Sequence, residues 1–390
     1  MAKVVLKRGR ANPLWHGHPW VYSGAIEREE GGYQPGDVVE VCDADGRRIG
    51  RGFANPRSQI RVRMVGWRDE QVDDALIARR IEEAIALRTK LGLPSEETTA
   101  YRLINSEGDA LPGLVVDVYG DVCAVQFTAL GAKRVEGAIY EALAALMKPR
   151  AIVEVSAGGF AQLEGFGSAT RVVRGDEVET VRCRENGVEL EVEPLRGQKT
   201  GMFLDQRENR RRLGALAKGA RVLDVYTYAG GFALNALRSG ATSATCVDSS
   251  ARALERVRSH AELNHFSNVE TVEADAFRFL ETTRPKGWDL VVVDPPKFAR
   301  ARKDLDAALK GYERLNTLAM TACAPGALLA TSSCSQLVDG ESFERVIAAA
   351  ARDAGRRVQV LESSSQGPDH PVPPAFPEGR YLKFLLCRVV

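Results

Sequence analysis

The fold is decided by the stretch RVLDVYTYAGGF, residues 221–232. The mainly apolar run Arg221–Val225 predicts a β-strand, and the residues up to Phe232 predict a turn that contains two adjacent glycines. A helical segment follows this turn. A strand, a glycine-containing turn and a helix form the opening unit of a doubly wound α/β domain, in which ligands bind beside the carboxyl ends of the strands.

The same alternation of strand and helix continues to the end of the chain. Strands are predicted at 221–225, 244–248, 269–274, 290–294 and 327–332, with helical segments such as 251–264 and 304–324. This pattern predicts a Rossmann-like parallel sheet with helices on both faces. The stretch 381–389 predicts a last strand with no helix after it, added antiparallel to the sheet.

Two further domains are predicted before this one, which gives the boundaries 1–70, 71–193 and 194–390. Short strands at 37–42, 48–53 and 60–65, with an Asp45-Gly46 turn, predict a small β-barrel. A helix at 72–91, strands at 103–107, 114–119 and 122–130, and a second helix at 132–147 predict a central α+β domain. That central domain is expected to act as a spacer or as a dimerisation unit, which would make the protein a homodimer.

The composition is that of a soluble globular protein. Hydrophobic residues make up 44% and charged residues 27% of the 390 positions. No apolar stretch reaches the roughly 18 residues of a membrane span, and the amino end lacks a secretory apolar region, so we expect a cytoplasmic protein without a membrane partner. The seven cysteines are scattered, without a CxxC motif or a Cys/His cluster, which predicts neither disulfides nor a metal site.

Charge is unevenly distributed along the chain. The net charge is +1 overall, yet residues 1–68 carry 12 Lys and Arg against 7 Asp and Glu. A basic module on a near-neutral body is a reasonable footprint for RNA binding, and an ordinary solvated basic face would show the same excess.

Acidic residues at successive strand ends indicate the cofactor. Asp224 lies at the end of the first strand, Asp248 ends the second and Asp275 follows the third. An acid about twenty residues after the first turn can accept both hydroxyls of a ribose, and the next acid could take an adenine amino group. The full G-x-G-x-x-G of dinucleotide folds is absent, so the pattern favours S-adenosylmethionine over NAD.

A thiol and a carboxylate follow two other predicted strands. Cys334 lies in Ser332–Ser335 after the apolar run 326–330, and Asp294 begins Asp294-Pro295-Pro296-Lys297 after the run 290–293. If both runs are strands of one parallel sheet, the two groups meet at the same crevice. A thiol and a carboxylate placed together suggest covalent chemistry on a ring.

Several motifs resemble one known family. The string QKTGMFLDQR at 198–207, followed by 224–232, by DPPKF at 294–298 and by SCS at 333–335, resembles the large-subunit ribosomal RNA methyltransferase I family. The resemblance extends to HPWVY at 18–22 and to PEGRYLK at 377–383, and so spans nearly the whole chain. It implies a PUA RNA-binding domain, a central α+β domain, and a class I methyltransferase domain that makes 5-methylcytosine in 23S rRNA.

The implied reaction assigns roles to individual residues. C5 of cytosine is a poor nucleophile, and attack of a thiolate on C6 with protonation at N3 would activate it. Cys334 would be the thiolate, Asp294 the group near N3, and Lys297 or nearby arginines the source of the field that favours the thiolate. The expected cofactor residues are Phe203, Asp205, Gln206, Arg207, Asp224, Tyr226, Thr227, Gly230, Gly231, Phe232, Asp248, Ser249, Asp275, Ala276 and Asp294.

Two alternatives remain open at this stage. A guanine-N7 rRNA methyltransferase of related architecture would need no thiol. A non-catalytic RNA-binding protein of ribosome assembly would keep the basic module and would not bind S-adenosylmethionine. Cys246, Cys323 and Cys387 lie within apolar segments and are expected to be core residues.

Overall fold

The computed structural model of the protein describes residues 1–156, 158–197, 200–282, 287–299 and 301–390. Contacts divide the chain into two compact units. The first unit comprises Met1–Arg184, Glu191–Leu204 and Pro368–Gly379, and the second comprises Glu185–Leu190, Asp205–Gly367 and Arg380–Val390.

The first unit holds two mixed sheets. Its elements in chain order are β1 Lys3–Leu6, α1 Asn12–Trp15, β2 Trp20–Tyr22, β3 Ile26–Glu30, β4 Val38–Cys42, β5 Arg48–Ala54, β6 Ile60–Trp67, α2 Asp74–Lys90, β7 Ala100–Asn105, β8 Leu114–Tyr119, β9 Val122–Phe127, α3 Leu130–Arg134, α4 Glu136–Met147, β10 Ala151–Ser156, α5 Gly158–Glu164 and β11 Ala169–Gly175. One sheet has the order β2-β6-β5-β4-β1-β3 and the other the order β11-β10-β9-β8-β7.

Local chemistry explains where these elements begin and end. Helix α2 begins after Asp73, whose side chain accepts a hydrogen bond from the Leu76 main-chain N–H, the usual bond of an N-cap. Its apolar residues Ile77 and Ile81 are one turn apart and both buried. The predicted strands at 37–42, 48–53 and 60–65 correspond to β4, β5 and β6.

Three predicted elements of the central region differ from the structure. The helix predicted at 132–147 is broken into α3 and α4 because Val135 leaves helical geometry, with φ −101° and ψ 19°. The strand predicted at 103–107 ends at Asn105, since Ser106 takes a left-handed φ of 51° and starts a short 3-10 helix. The strand predicted at 122–130 ends at Phe127.

A hairpin follows, with strands β12 Val181–Glu185 and β13 Val188–Val192. Its turn residues Asn186 and Gly187 have φ values of 52° and 77°. Positive φ at both central positions is what a two-residue type I′ hairpin turn requires, and Asn-Gly is the pair that adopts it most readily.

The second unit is the predicted doubly wound domain. Its elements are α6 Arg207–Gly214, β14 Arg221–Val225, α7 Gly231–Arg238, β15 Ser243–Asp248, α8 Ala251–Leu263, β16 Val269–Glu273, α9 Ala276–Thr282, β17 Trp288–Val293, α10 Leu305–Ala322, β18 Cys323–Ser333, α11 Gly340–Asp353, β19 Val358–Ser364 and β20 Lys383–Val389. The sheet has the order β16-β15-β14-β17-β18-β20-β19. Strands β14 to β18 pair in parallel and β20 pairs antiparallel with β18, which confirms the predicted fold.

The core lies on both faces of this sheet. Within β17, Val291 and Val293 belong to one buried cluster, while Leu290 and Val292 belong to the cluster on the opposite face. Because successive side chains of a strand point to opposite faces, a strand covered on both sides must be apolar throughout. This is why short, continuous apolar runs located the strands correctly.

Candidate functional site

Four neighbouring strands carry a polar side chain within one residue of their carboxyl end. Asp224 is the penultimate residue of β14 and Asp248 the last of β15, while Asp294 follows β17 and Cys334 follows β18. Strand β14 lies between β15 and β17, and β18 lies next to β17. The structure therefore brings these four predicted residues to one edge of the sheet.

Asp224 is buried and only half satisfied. Its Oδ2 accepts hydrogen bonds from the Thr227 hydroxyl at 2.8 Å and from the Ala233 main-chain N–H at 3.1 Å. Its Oδ1 has no hydrogen-bond partner among the described residues. Burial raises the pKa of Asp224 to about 7, and the charges of Asp294 and Asp248 act in the same direction, against the two hydrogen bonds.

The turn after β14 has a tight backbone. Tyr226, Tyr228 and Gly230 have φ values of 62°, 52° and 83°, a conformation that costs the two tyrosines energy and suits glycine. At Gly231 an added Cβ would lie 2.8 Å from Cδ of Arg210. Gly230 is therefore favoured by its positive φ, and Gly231 leaves room for the Arg210 side chain at the start of α7.

Asp248 organises the same turn. Its Oδ2 accepts a hydrogen bond from the Tyr228 N–H and its Oδ1 accepts one from the Ser250 N–H, both at 3.0 Å. Each carboxylate oxygen keeps further acceptor capacity. Burial raises the pKa of Tyr226 to about 12, and the charges of Asp275 and then Asp248 add to this effect, so both acids lie near its hydroxyl.

The residues around Asp275 are more exposed than the rest of the cluster. Asp275 comes two residues after β16 rather than at its end, and its Oδ1 accepts a hydrogen bond from the Arg278 N–H. Asp275 and Ser249 are exposed, whereas Ala276 is buried at the start of α9. A ligand that spans these positions would have one end in solvent and the other against Asp224.

Asp294 is held by two side chains. Its Oδ1 accepts a hydrogen bond from the Ser332 hydroxyl and another from Nε2 of Gln206 at 3.1 Å. Gln206 is in turn oriented by Asn209, whose Nδ2 donates to Oε1 of Gln206 at 2.6 Å. Burial raises the pKa of Asp294, and the charge of Asp205 acts in the same direction.

A buried ion pair lies behind this cluster. Nε and Nη2 of Arg210 donate to the two carboxylate oxygens of Glu185 at 2.5 and 2.6 Å. Paired donors and acceptors of this kind give a rigid geometry. Oδ2 of Asp205 accepts a hydrogen bond from the Tyr381 hydroxyl at 2.6 Å. Sequence reasoning missed Arg210, Glu185 and Tyr381, because each depends on a partner far away along the chain.

Cys334 differs from the serines around it. Ser332, Ser333 and Ser335 are buried, while Cys334 is half-buried. The serines act as scaffold: Ser332 donates to Asp294, and Oγ of Ser335 lies 3.2 Å from the Tyr312 hydroxyl. The thiol is therefore the side chain of this segment that can meet a substrate.

The other six cysteines are all buried. Burial raises the pKa of Cys123 and Cys323 to about 12, and the same value holds for Cys387. A thiol with so high a pKa carries almost no thiolate near pH 7 and is a poor nucleophile. The expectation that Cys323 and Cys387 are core residues agrees with their place in the hydrophobic cluster.

Lys383 interacts with both Cys334 and Lys297, and of the two lysines sequence reasoning named only Lys297. Lys297, in the loop after β17, is exposed. Lys383, the first residue of β20, is half-buried and its Nζ donates to the main-chain oxygens of Ser335 and Tyr381. Lys383 was not predicted because its strand reads only as an apolar run.

Phe203, Arg207 and Phe232 complete the set of predicted cofactor residues. Phe203 is half-buried in the first unit, and its role toward the cofactor stays a prediction. Arg207 begins α6, where its Nε donates to Glu208 at 3.2 Å, and Phe232 is buried in α7. Gln198 and Lys199, which open the first motif of the family resemblance, lie outside the described residues.

The site fits S-adenosylmethionine. The buried Oδ1 of Asp224 lacks a protein partner in the described part of the chain, and the glycine turn lies between Asp224 and Ala233, whose N–H binds the same carboxylate. Both features suit a ligand that donates hydrogen bonds and packs against the turn.

Within the described ranges, no group of three or more His, Cys, Asp or Glu side chains is placed to hold a metal ion. In the same part of the chain, no helix is long and apolar enough to cross a membrane.

Comparison with known sequences identifies the family. Residues 4–67 match the model of a PUA-like domain, and residues 162–382 match that of an S-adenosylmethionine-dependent methyltransferase. The chain is 40% identical to the ribosomal RNA large subunit methyltransferase I of Aeromonas salmonicida, over 99% of this chain and 98% of that protein. The chain belongs to the ribosomal RNA large subunit methyltransferase I family. The family protein of Shewanella denitrificans is likewise 40% identical, over 99% of both chains.

Solved structures agree with the family's fold. The crystal structure of SMU.776 complexed with SAH matches the whole of this chain with a TM-score of 0.86 at 22% sequence identity. Membership in the family confirms the PUA-like and methyltransferase domains, and with them S-adenosylmethionine as the cofactor. The domain boundaries at 70 and 193 stay predictions.

Proposed function

We propose that the protein methylates C5 of a cytosine in 23S rRNA and that Cys334 forms a covalent bond to C6 of that base during the reaction. The rRNA substrate is supported by the relatives, which are named ribosomal RNA large subunit methyltransferase I. The covalent step is supported by one observation above all: among the seven cysteines only Cys334 is not buried, and it follows the strand next to the one that Asp294 follows.

The cofactor would lie along the ends of β14, β15 and β16. When bound, S-adenosylmethionine supplies an electrophilic methyl group carried on a sulfonium. Asp248 would accept hydrogen bonds from the ribose hydroxyls and Asp275 one from the adenine amino group. Gly230 and Gly231 would let the main chain approach the ligand. Asp224, whose Oδ1 is buried, would accept a hydrogen bond from the ligand.

The thiol is needed because C5 of cytosine is weakly nucleophilic. The Cys334 thiolate attacks C6, an S–C6 bond forms, and the electrons of the ring move so that N3 takes a proton from Asp294 while C5 becomes nucleophilic. Burial raises the pKa of Asp294, which favours the protonated form that this step requires. C5 then takes the methyl group.

Release restores the groups of the enzyme. Water accepts the C5 proton, the electrons of that C–H bond rebuild the C5–C6 double bond, and the S–C6 bond breaks to leave the thiolate of Cys334. The N3 proton returns to Asp294. The hydrogen bonds from Ser332 and Gln206 keep the Asp294 carboxyl in one position throughout this cycle.

A cysteine variant tests the covalent step. Cys334→Ala should abolish methyl transfer to 23S rRNA, while affinity for S-adenosylmethionine measured by calorimetry stays within a few-fold, because the thiol acts on the base. RNA that contains 5-fluorocytidine should form a denaturation-resistant adduct with the parent protein and none with Cys334→Ala, since fluorine at C5 blocks release. Turnover close to that of the parent protein would rule the mechanism out.

Cys42→Ser is a matched control. The Cys42 thiol lies 3.7 Å from a carboxylate oxygen of Glu40, and a hydroxyl can make the same contact. This variant should keep methylation and adduct formation. Mass spectrometry of the modified nucleoside separates the remaining alternative, because 7-methylguanosine in place of 5-methylcytidine would identify a guanine-N7 enzyme, for which Cys334 has no role.

A further inference from the structure

Lys383 is fixed against the segment that carries Cys334. In the antiparallel pairing of β18 with β20, Lys383 lies opposite Ser333, the residue before Cys334. Its Nζ donates to the main-chain oxygen of Ser335, the residue after Cys334, at 2.5 Å and to that of Tyr381 at 2.7 Å. Lys383 is thus paired through its main chain with the residue before Cys334 and bonded through its amine to the residue after it.

The number of hydrogen bonds matters for the amine's chemistry. A neutral lysine amine has two N–H bonds and one lone pair, whereas the ammonium form has three N–H bonds and no acceptor. Two main-chain oxygens take up two N–H bonds of Lys383 in either form. The fourth position on nitrogen is left to accept a proton from a neighbour or to donate one to it.

Three charged or titratable groups act on Lys383: Cys334 after β18, Lys297 after β17 and Asp339 just before α11. Tyr312 of α10 contacts the side chain of Ser335, the residue whose main-chain oxygen accepts from Lys383. Burial lowers the pKa of Lys383 to about 8, and Lys297 acts in the same direction, while Cys334 and Asp339 oppose it. The ordinary pKa of a thiol is about 8.5, so a proton can pass between such groups at little cost.

We propose that Lys383 is the positioning residue that takes the proton of the Cys334 thiol and holds the resulting thiolate as an ion pair. The S–H bond breaks, a third N–H bond forms on Nζ, and no other reactant is needed. The inference rests on the proposed role of Cys334 as nucleophile. Lys383, rather than the Lys297 expected from the sequence, is then the main source of the electrostatic field that favours the thiolate.

Exposure separates the two lysines. Lys297 is exposed to solvent, which screens the field of its charge at Cys334. Lys383 is half-buried and held by two hydrogen bonds. A charge in less polar surroundings acts more strongly on a neighbour at the same distance.

The test is the rate at which Cys334 reacts with iodoacetamide as pH is varied. Only the thiolate reacts, so the rate follows its population. The experiment uses the full-length protein without RNA or S-adenosylmethionine, and peptide mass spectrometry reports alkylation of Cys334 specifically. Because the other six cysteines are buried, they should react slowly in the folded protein.

Lys383→Met should move the midpoint of this profile upward by at least about one pH unit, which makes alkylation about tenfold slower at pH 7. Lys383→Arg should keep the midpoint near that of the parent protein, because arginine remains charged and can hold the thiolate. Lys297→Met is the matched control for loss of one positive charge, and it should change the rate at pH 7 by less than about threefold.

Unchanged midpoints for Lys383→Met would overturn the proposal, and so would a larger effect of Lys297→Met. A merely structural role would slow or speed alkylation equally at every pH without moving the midpoint, and Lys383→Arg guards against a general folding defect. Alkylation requires neither substrate nor cofactor, so it tests the ion pair separately from methylation. If Lys383→Met shifts the midpoint as expected while Cys334→Ala remains active, the covalent mechanism is rejected and the ion pair stands.

Discussion

Replacing Asp224 with asparagine should remove a large pH dependence of stability. Oδ2 of Asp224 accepts hydrogen bonds from Thr227 and Ala233, while Oδ1 has no partner among the described residues. An asparagine can keep both bonds through its carbonyl oxygen and place its NH2 group where Oδ1 lies. The substitution is therefore nearly isosteric, and it fixes the side chain in a neutral form.

The direction follows from the two pKa values. The pKa of Asp224 is about 7 in the folded protein against 3.8 for an unperturbed aspartate, chiefly because of burial. Between these pH values the folded state binds more protons than the unfolded state, so stability falls as pH rises. The stabilisation that the protonated Asp224 gives to the folded state is fully present below pH 3.8 and is lost as pH rises through 7. At about 1.4 kcal/mol per pH unit, the free energy of unfolding falls by about 4 kcal/mol across this range.

The assay is urea unfolding of the parent protein and Asp224→Asn at intervals from pH 5 to pH 8. We expect the difference in unfolding free energy to shift in favour of the variant by about 1.4 kcal/mol per pH unit up to pH 7 and to level off above it. Asp306→Asn, at an exposed position in α10, should follow the parent protein throughout. Parallel curves for the parent protein and Asp224→Asn would refute the buried, protonated carboxyl.

Two further predictions concern ligand binding. Asp248→Ala should weaken S-adenosylmethionine binding by roughly 1.5 to 3 kcal/mol in calorimetry, the range for hydrogen bonds to a charged group, and an unchanged dissociation constant would mean that Asp248 does not contact the ribose. Replacing the exposed residues Lys7, Arg8 and Arg10 with alanine should make the slope of log K for RNA against log salt less steep by roughly 2 to 3, at about 0.7 to 0.9 per lost phosphate contact, with cofactor affinity unaffected. Filter binding at several salt concentrations measures this slope, and identical slopes would leave these residues as an ordinary solvated face.

Much of the second unit was predictable because its strands are buried on both faces. The predicted strand at 221–225 coincides with β14, and the other predicted strands of the parallel sheet overlap the observed ones. Strand β19 was missed, since it lies at the edge of the sheet and leaves Val360 and Leu361 about half exposed. An edge strand need not be apolar, so its sequence carries a weaker signal.

Charge along the chain was a less reliable guide to the surface. The excess of basic residues in 1–68 suggested an open RNA-binding face, yet several of these arginines form ion pairs within the first unit. Arg48 pairs with Glu40 at 2.5 Å, and Arg63 pairs with Glu107 and Glu164. Ion pairing leaves the net charge of the segment unchanged. It reduces the number of basic side chains that are free to contact RNA below the number counted from the sequence.

The sequence by itself determined which residues end the strands of the methyltransferase domain. Asp224, Asp248 and Asp294 follow from apolar runs, because a buried strand must be apolar and the polar residue at its carboxyl end lies at the sheet's edge. Cys334 follows another such run, after Thr331, Ser332 and Ser333. This rule is local, and it needs no knowledge of which strands are neighbours.

Only the tertiary structure decided which side chains meet at that edge. Gln206 reaches Asp294 across 88 positions of the chain, Arg210 reaches Glu185 across 25, and Lys383 reaches Ser335 across 48. The last contact exists because β20 inserts antiparallel between β18 and β19. Strand order and register are set by the packing of the whole sheet, and no local pattern around Lys383 records that its amine will lie beside the thiol's segment.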